Sequence, residues 1–200
     1  YAFKDIRTLT IEGDIKNIPS NSFKNCTLLT KVIINTASIK SIESSSFEGC
    51  SSLTDIIIPS SIGNINSSVF KNCTSLTNIT LPSSLKTING STFEGCTSLI
   101  EITFPSSIEN IYGNAFLGIK ELTINGDIQY IPSNSFKDCK SLTKIILNTN
   151  QLTTIKTSAF SGCSSLKEIT LPSTIQTIEE NSFQGIDEIT ITGNIENLPN

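Results

Sequence analysis

The sequence predicts an α/β-type solenoid, mostly strands and turns, with nine units of about 20–24 residues around one parallel sheet. Three observations predict it. Phenylalanine recurs at positions 3, 23, 47, 70, 93, 116, 136, 160 and 183, at intervals of 20, 24, 23, 23, 23, 20, 24 and 23. Within each interval, aliphatic residues alternate with period two and then meet a turn signal. A longer period lies above the first: Asp14–Phe23 returns as Asp127–Phe136, 113 residues later. No linker or charge run interrupts the series, so residues 1–200 read as one elongated domain, a segment of a longer array.

A full unit is typified by Cys73 to Phe93. Its first element starts near Leu76 and runs through Ile79 and Leu81, a short strand with both aliphatic side chains on the core side. The other strands are expected to start near Ile6, Leu29, Leu53, Leu99, Ile119, Leu142, Leu166 and Ile186. Pro82-Ser83-Ser84 is a turn, because proline fixes φ. Leu85 and Ile88 make a second extended step. Ser91–Cys96 fits a turn or a short helix, with Phe93 and Cys96 three apart on one face. The 24-residue units replace the proline turn with Asn35-Thr36-Ala37-Ser38 and Asn148-Thr149-Asn150-Gln151. In the short units after Phe3, Phe116 and Phe183, the three-residue turn that carries cysteine is missing ahead of the strand. One unit alone cannot bury this much apolar surface; stacked units can, each apolar position forming a ladder. Strands ~4.8 Å apart make nine of them span roughly 40 Å.

The repeated S-x-F-x-x-C-x-S-L-x-x-I-x-L-P-S-S-I-x-x-I resembles the BspA-like branch of the leucine-rich repeats, over essentially the whole chain and best in Phe47–Phe70, Phe70–Phe93, Phe93–Phe116 and Phe160–Phe183. The resemblance implies a curved or twisted solenoid. It also implies a surface or secreted protein of a bacterium or parasitic protist, linked to adhesion and host-matrix binding.

Composition narrows the chemistry. Histidine is absent, which excludes any mechanism needing an imidazole base or ligand. Charged residues are 16% of the chain, the net charge is −4 and no basic run is present, against nucleic-acid binding. No apolar stretch approaches the ~20 residues of a membrane-spanning helix. The six cysteines are 23–24 residues apart within the arrays Cys26–Cys96 and Cys139–Cys163 and never form C-x-x-C, so they read as buried free thiols rather than metal ligands. The carboxylates fall in repeat-defined surface columns without an activated nucleophile nearby, so neither catalysis nor a cofactor is expected. Five N-x-[ST] sequons, at Asn25, Asn66, Asn72, Asn78 and Asn89, are possible N-glycosylation sites in a secreted setting.

The informative surface is the outward side of the strands. One column reads Thr10, Ile33, Ile57, Thr80, Thr103, Thr123, Ile146, Thr170 and Thr190, all β-branched. Two residues earlier a second column varies: Thr8, Lys31, Asp55, Asn78, Glu101, Glu121, Lys144, Glu168 and Glu188. Variation on a fixed scaffold marks a candidate binding face, though a solvated rim gives the same pattern. The leading reading is therefore a non-enzymatic protein-binding or adhesion module on a cell surface or outside the cell, with a host, matrix or cell-surface protein as partner. The alternative is a self-assembling structural protein. Leu198-Pro199-Asn200 followed by Tyr1-Ala2-Phe3 would reproduce the pattern of Ile18–Phe23, so copies stacked end to end would continue the array. An intracellular scaffold is a third class left open.

Overall fold

The computed structural model describes residues 3–193. The chain winds through about eight turns in which longer and two-residue strands alternate. The longer strands are β1 (Thr8–Ile11), β3 (Lys31–Ile34), β5 (Asp55–Ile56), β7 (Asn78–Thr80), β9 (Glu101–Phe104), β11 (Glu121–Gly126), β13 (Lys144–Asn148), β15 (Glu168–Thr170) and β17 (Thr190–Thr192). Between them lie two-residue strands: β2 (Asn17–Ile18), β4 (Ser41–Ile42), β6 (Asn64–Ile65), β8 (Thr87–Ile88), β10 (Asn110–Ile111), β12 (Tyr130–Ile131), β14 (Thr154–Ile155) and β16 (Thr177–Ile178). Every strand pairing is parallel and joins one turn to the next. The unit opened by β17 continues outside the described residues, as does the expected Asn200–Tyr1 joint.

The expected single sheet is two columns. β1-β3-β5 and β7 to β17 form the first, and the short strands form the second on another side of the core. The longer strands also begin two residues later than the leucines that announce them. Leu76 is the end of a tight turn, its N–H donating to the Cys73 carbonyl at 3.1 Å, and β7 starts at Asn78. The same turn closes at Leu29, Leu53, Leu99, Leu142 and Leu166.

The α/β label does not hold, since the described residues contain no helix. The segment around each phenylalanine is a run of turns, and the reason is in the backbone. The residue two before phenylalanine is left-handed in every described turn, for example Asn21 (φ 59°), Ser91 (φ 59°) and Asn181 (φ 57°). From Phe23 to Phe183 the residue two after is left-handed as well, for example Asn72 (φ 59°) and Gly95 (φ 74°). Left-handed residues break a helical path. They turn alternate N–H groups along the solenoid axis instead of back along the chain. Ser91, Phe93 and Gly95 thus donate to the carbonyls of Gly113, Ala115 and Leu117 in the next turn, at 3.3, 2.9 and 2.8 Å. A third ladder of backbone hydrogen bonds results, made of turns, and it satisfies the buried amides that a helix would have paired internally.

The core lies between the three ladders. Phe47, Phe70, Phe93, Phe116, Phe136 and Phe160 are essentially inaccessible. Successive rings from Phe23 to Phe183 stack with centroids 5.0–6.0 Å apart. That is the offset-stacked range, worth ~0.5–1.5 kcal/mol per pair beyond burial. Cysteine closes the same corner. The thiols of Cys50, Cys73, Cys96 and Cys163 donate to the carbonyls of Phe23, Phe47, Phe70 and Phe136 in the preceding turn, with Sγ···O of 2.9–3.3 Å. All six cysteines are buried free thiols. Burial pushes Cys50, Cys96, Cys139 and Cys163 up to about 12, so they stay protonated at neutral pH.

Candidate functional site

The candidate face is the outward side of the longer strands, and its geometry is set by register. From β7 to β9 the residues pair as the repeat predicts: Asn78 with Glu101 and Thr80 with Thr103. At β11 the register slips by two. Glu101 pairs with Thr123 and Thr103 with Asn125, instead of with Glu121 and Thr123. The same slip recurs at β17, where Glu168 pairs with Thr190 and Thr170 with Thr192. A slip of two keeps inward residues inward, because side chains alternate with period two. It moves an outward column by ~7 Å along the strand.

The physical cause is the shortened turn. Against the strand behind it, β11 is offset by one residue fewer than a full unit, so part of the shortening is taken up after the strand. There Gly126 replaces the broad proline turn. Gly126 has φ 108°, and a Cβ placed on it would lie 2.0 Å from the Phe104 carbonyl oxygen. Gly193 at the next short unit repeats this, with φ 130° and the Leu171 oxygen 2.1 Å from the same position. Only glycine permits so close a backbone approach.

The varied column is therefore not one continuous strip. Lys31 and Asp55 pair in register and form an ion pair at 2.9 Å. Pairing is interrupted between β5 and β7, and beyond it Asn78 pairs with Glu101. Glu121, Lys144 and Glu168 lie on a displaced line, with Lys144 and Glu168 in an ion pair at 2.8 Å. The hydrogen bond to Glu168 raises the Lys144 ammonium above its ordinary value, and the nearby Glu121 acts in the same sense. Glu188 precedes β17 and stands off both lines, exposed. The β-branched column breaks at the same places; within it Ile57 is 74% exposed, the most open large apolar side chain on the face.

Sequence reasoning missed a polar ladder at the exit end of the strands. The Asn125 amide donates to Glu101 at 2.6 Å, and the Asn148 amide donates to Asn125 at 2.7 Å. Beside it lies a cleft of about 380 Å³ lined by Asn125, Gly126, Asp127, Asn148, Thr149 and Asn150. The signal was the asparagine that stands where other units have proline, together with Gly126. Asn148 reads in the sequence only as part of a changed turn, and Gly126 carries no reading there.

A second alternating ladder lies one residue after phenylalanine. Lys24 pairs with Glu48 at 3.0 Å and Lys71 with Glu94 at 2.9 Å. Burial works to raise the Glu48 carboxyl, but Ser45 and Lys24 donate to it and outweigh burial, leaving it lowered.

The sequons are not equivalent. Asn66 donates its amide to Glu43 at 2.6 Å and Asn89 to the Ile65 carbonyl at 2.8 Å, both across turns. Asn25, Asn72 and Asn78 are exposed. The side-chain oxygens of Asn25 and Asn72 rest over Gly49 and Gly95 of the next turn.

Among solved structures, a leucine-rich repeat protein of T. pallidum is 24% identical, with a TM-score of 0.57 over 86% of this chain and 73% of its own. A leucine-rich repeat protein of Bacteroides ovatus is 22% identical, with a TM-score of 0.62 over 94% of this chain and 57% of its own. The pneumococcal vaccine antigen PcpA is 23% identical, with a TM-score of 0.59 over 94% of this chain and 58% of its own. The chain thus spans a little over half the length of the last two. These likenesses carry the fold. No curated protein matches the chain. The family model for the BspA type leucine rich repeat region matches residues 1–123 and 117–200, in six copies. With parallel strands, a stacked phenylalanine column and a cysteine in each full turn, the chain belongs to the BspA-type leucine-rich repeat family.

Proposed function

We propose that this chain is a non-enzymatic protein-binding module acting at a cell surface or outside the cell, and that it binds through the outward face of the longer strands. One observation carries the reading. Inward positions repeat nearly the same residue in every turn, whereas the outward line changes from Lys31 and Asp55 to Asn78 and Glu101 and then to Glu121, Lys144 and Glu168. A rigid backbone presenting a varied polar line suits recognition of another protein's surface. The partner is a host, matrix or cell-surface protein. The pneumococcal vaccine antigen of similar fold supports the surface setting. Glu101 and Glu121 are the acidic residues on either side of the first slip, and Glu101 accepts from Asn125 of the asparagine ladder. If the protein is secreted by a glycosylating cell, Asn25, Asn72 and Asn78 are the acceptors, since Asn66 and Asn89 spend their amides inside the fold.

The test is adhesion of the purified chain to cultured cells and to plates coated with matrix proteins. Glu101→Lys combined with Glu121→Lys should weaken binding about tenfold or more, while Thr80→Val leaves it unchanged. Unaltered adhesion in the charge-reversed protein would move the binding site off this face.

A further inference from the structure

The exit ends of the longer strands carry two stretches that occur twice, 113 residues apart, and the copies differ in one consistent way. Glu12-Gly13-Asp14-Ile15-Lys16 returns as Asn125-Gly126-Asp127-Ile128-Gln129, and Asn35-Thr36-Ala37-Ser38 returns as Asn148-Thr149-Asn150-Gln151. Each difference places a carboxamide in the second copy: Asn125 for Glu12, Gln129 for Lys16, Asn150 for Ala37 and Gln151 for Ser38. The aspartate common to both copies changes its surroundings as a result. Asp14 forms an ion pair with Lys16, and Ser38 donates to it as well. Asp127 has lost both donors; it is exposed and has no hydrogen-bond or ion-pair partner among the described residues. Its carboxylate stands with Asn125, Asn148 and Asn150 in the walls of the cleft of about 380 Å³. The turn Asn148–Asn150 also walls a second cleft, of about 350 Å³, toward the next turn of the solenoid, where Ile146 and Pro172 add half-exposed apolar surface.

The lining selects a ligand. A carboxamide offers donors and an acceptor side by side, and a carboxylate adds acceptors. Once the ladder is made, Asn148 keeps its carbonyl oxygen and one N–H, and Asn125 keeps one N–H. A hydroxyl both donates and accepts, so a row of hydroxyls matches these groups. An anion would meet Asp127 with no lysine or arginine in either wall. A divalent cation draws on several carboxylates, and no three gather into such a group among the described residues.

We propose that the exit ends of β11, β13 and β15 form a binding site for a neutral oligosaccharide. The hydroxyls of one sugar ring lie against Asp127, Asn125 and Asn148, and the C–H face of the next ring lies against Ile146 and Pro172 beyond the asparagine turn. The site is separate from the protein-binding line proposed above and touches it only at Glu101, through Asn125.

The experiment maps amide chemical shifts of the isotope-labelled chain against neutral tetrasaccharides of glucose, mannose, galactose and N-acetylglucosamine, and against calcium chloride alone. At least one sugar should move the amides of residues 125–129, 146–150 and 170–174. Gln129→Lys gives Asp127 the partner that Asp14 has, and Asn150→Ala installs the residue of the first copy. Gln129 and Asn150 are both exposed, so the rest of the spectrum should keep its pattern while each change weakens binding about tenfold or more. The proposal is overturned if no sugar moves these amides at about 10 mM, where a millimolar Kd is still read. It is overturned equally if Gln129→Lys binds as the parent chain does. Shifts produced there by calcium and by none of the sugars would make the cleft a cation site instead.

Discussion

Phe93 sits between Phe70 and Phe116, with ring centroids 5.7 Å away on either side. Removing it deletes two stacking partners and opens a cavity that the rigid turns above and below cannot fill. Phe93→Ala should cost ~3–5 kcal/mol, read from urea unfolding. The thiols next to this stack give a prediction with a pH sign. Burial first, and then neighbouring thiols, raise Cys50 to about 12 and Cys73 well above its ordinary value. In the unfolded chain a thiol titrates near ~8.5. Below that pH both states are protonated and the contribution to stability is complete. Above it the unfolded state releases protons that the folded state keeps, so stability falls as pH rises from about 9 toward about 12. Urea midpoints measured between pH 8 and pH 11 should fall, and Cys96→Ala should flatten the fall. A thiol reagent added to native protein should react slowly with all six cysteines and fully after denaturation. Phenylalanine and cysteine were legible in the sequence because each occupies a fixed phase of the period. Of the left-handed residues flanking phenylalanine, only the glycines that recur just after it, such as Gly49, Gly95, Gly118 and Gly162, announce their φ by type. Asn and Ser fill most of the other places, and their type alone does not specify φ.

At the level of strands and turns, the short units decide the surface. Their missing residues are plain in the sequence, but a deletion does not say how neighbouring backbones share it. The expectation placed the whole loss ahead of the strand; the structure takes part of it after the strand, with a two-residue slip and a glycine against a carbonyl. Period-two patterning could not reveal this, since a slip of two leaves every inward residue inward. The outward columns were legible as sets of residues and illegible as lines. Gly126→Ala makes the slip measurable. Its Cβ would meet a backbone oxygen rather than a yielding side chain, so the turn must move. A loss of about 2 kcal/mol or more is expected, mainly through the neighbouring β9 and β13. The ion pair of Lys144 and Glu168 is half open to water, and a double-mutant cycle on it should return under ~1 kcal/mol. The charged ladder thus sets alignment between turns more than it sets stability.

For the whole molecule, each turn touches only the turns before and after it, so stability is the sum of local terms and nearest-neighbour terms. Amide exchange should therefore be graded along the axis. Protection should be highest in the turns around Phe70, Phe93 and Phe136, which are covered on both sides, and lowest at β1 and β17. Uniform protection across all turns would show a single cooperative unit instead. The elongated parallel form was legible from spacing alone, because only stacking can bury a core supplied in such small equal portions. The partner was not, since variation along a surface line marks where recognition could occur without describing what is recognised.

The three hydrogen-bonded ladders also fix how the molecule answers force. All of them run along the solenoid axis, so a pull applied between its two ends loads the bonds of one turn at a time, like a zipper, and not many in shear. Each turn should peel away at low force, starting from whichever end is less covered, and release its own stretch of chain. A unit of 23 residues lengthens by roughly 80 Å when drawn out. Under single-molecule extension the trace should be a series of small, evenly spaced steps. A tether of this kind would yield gradually between two surfaces and rewind turn by turn when the load drops.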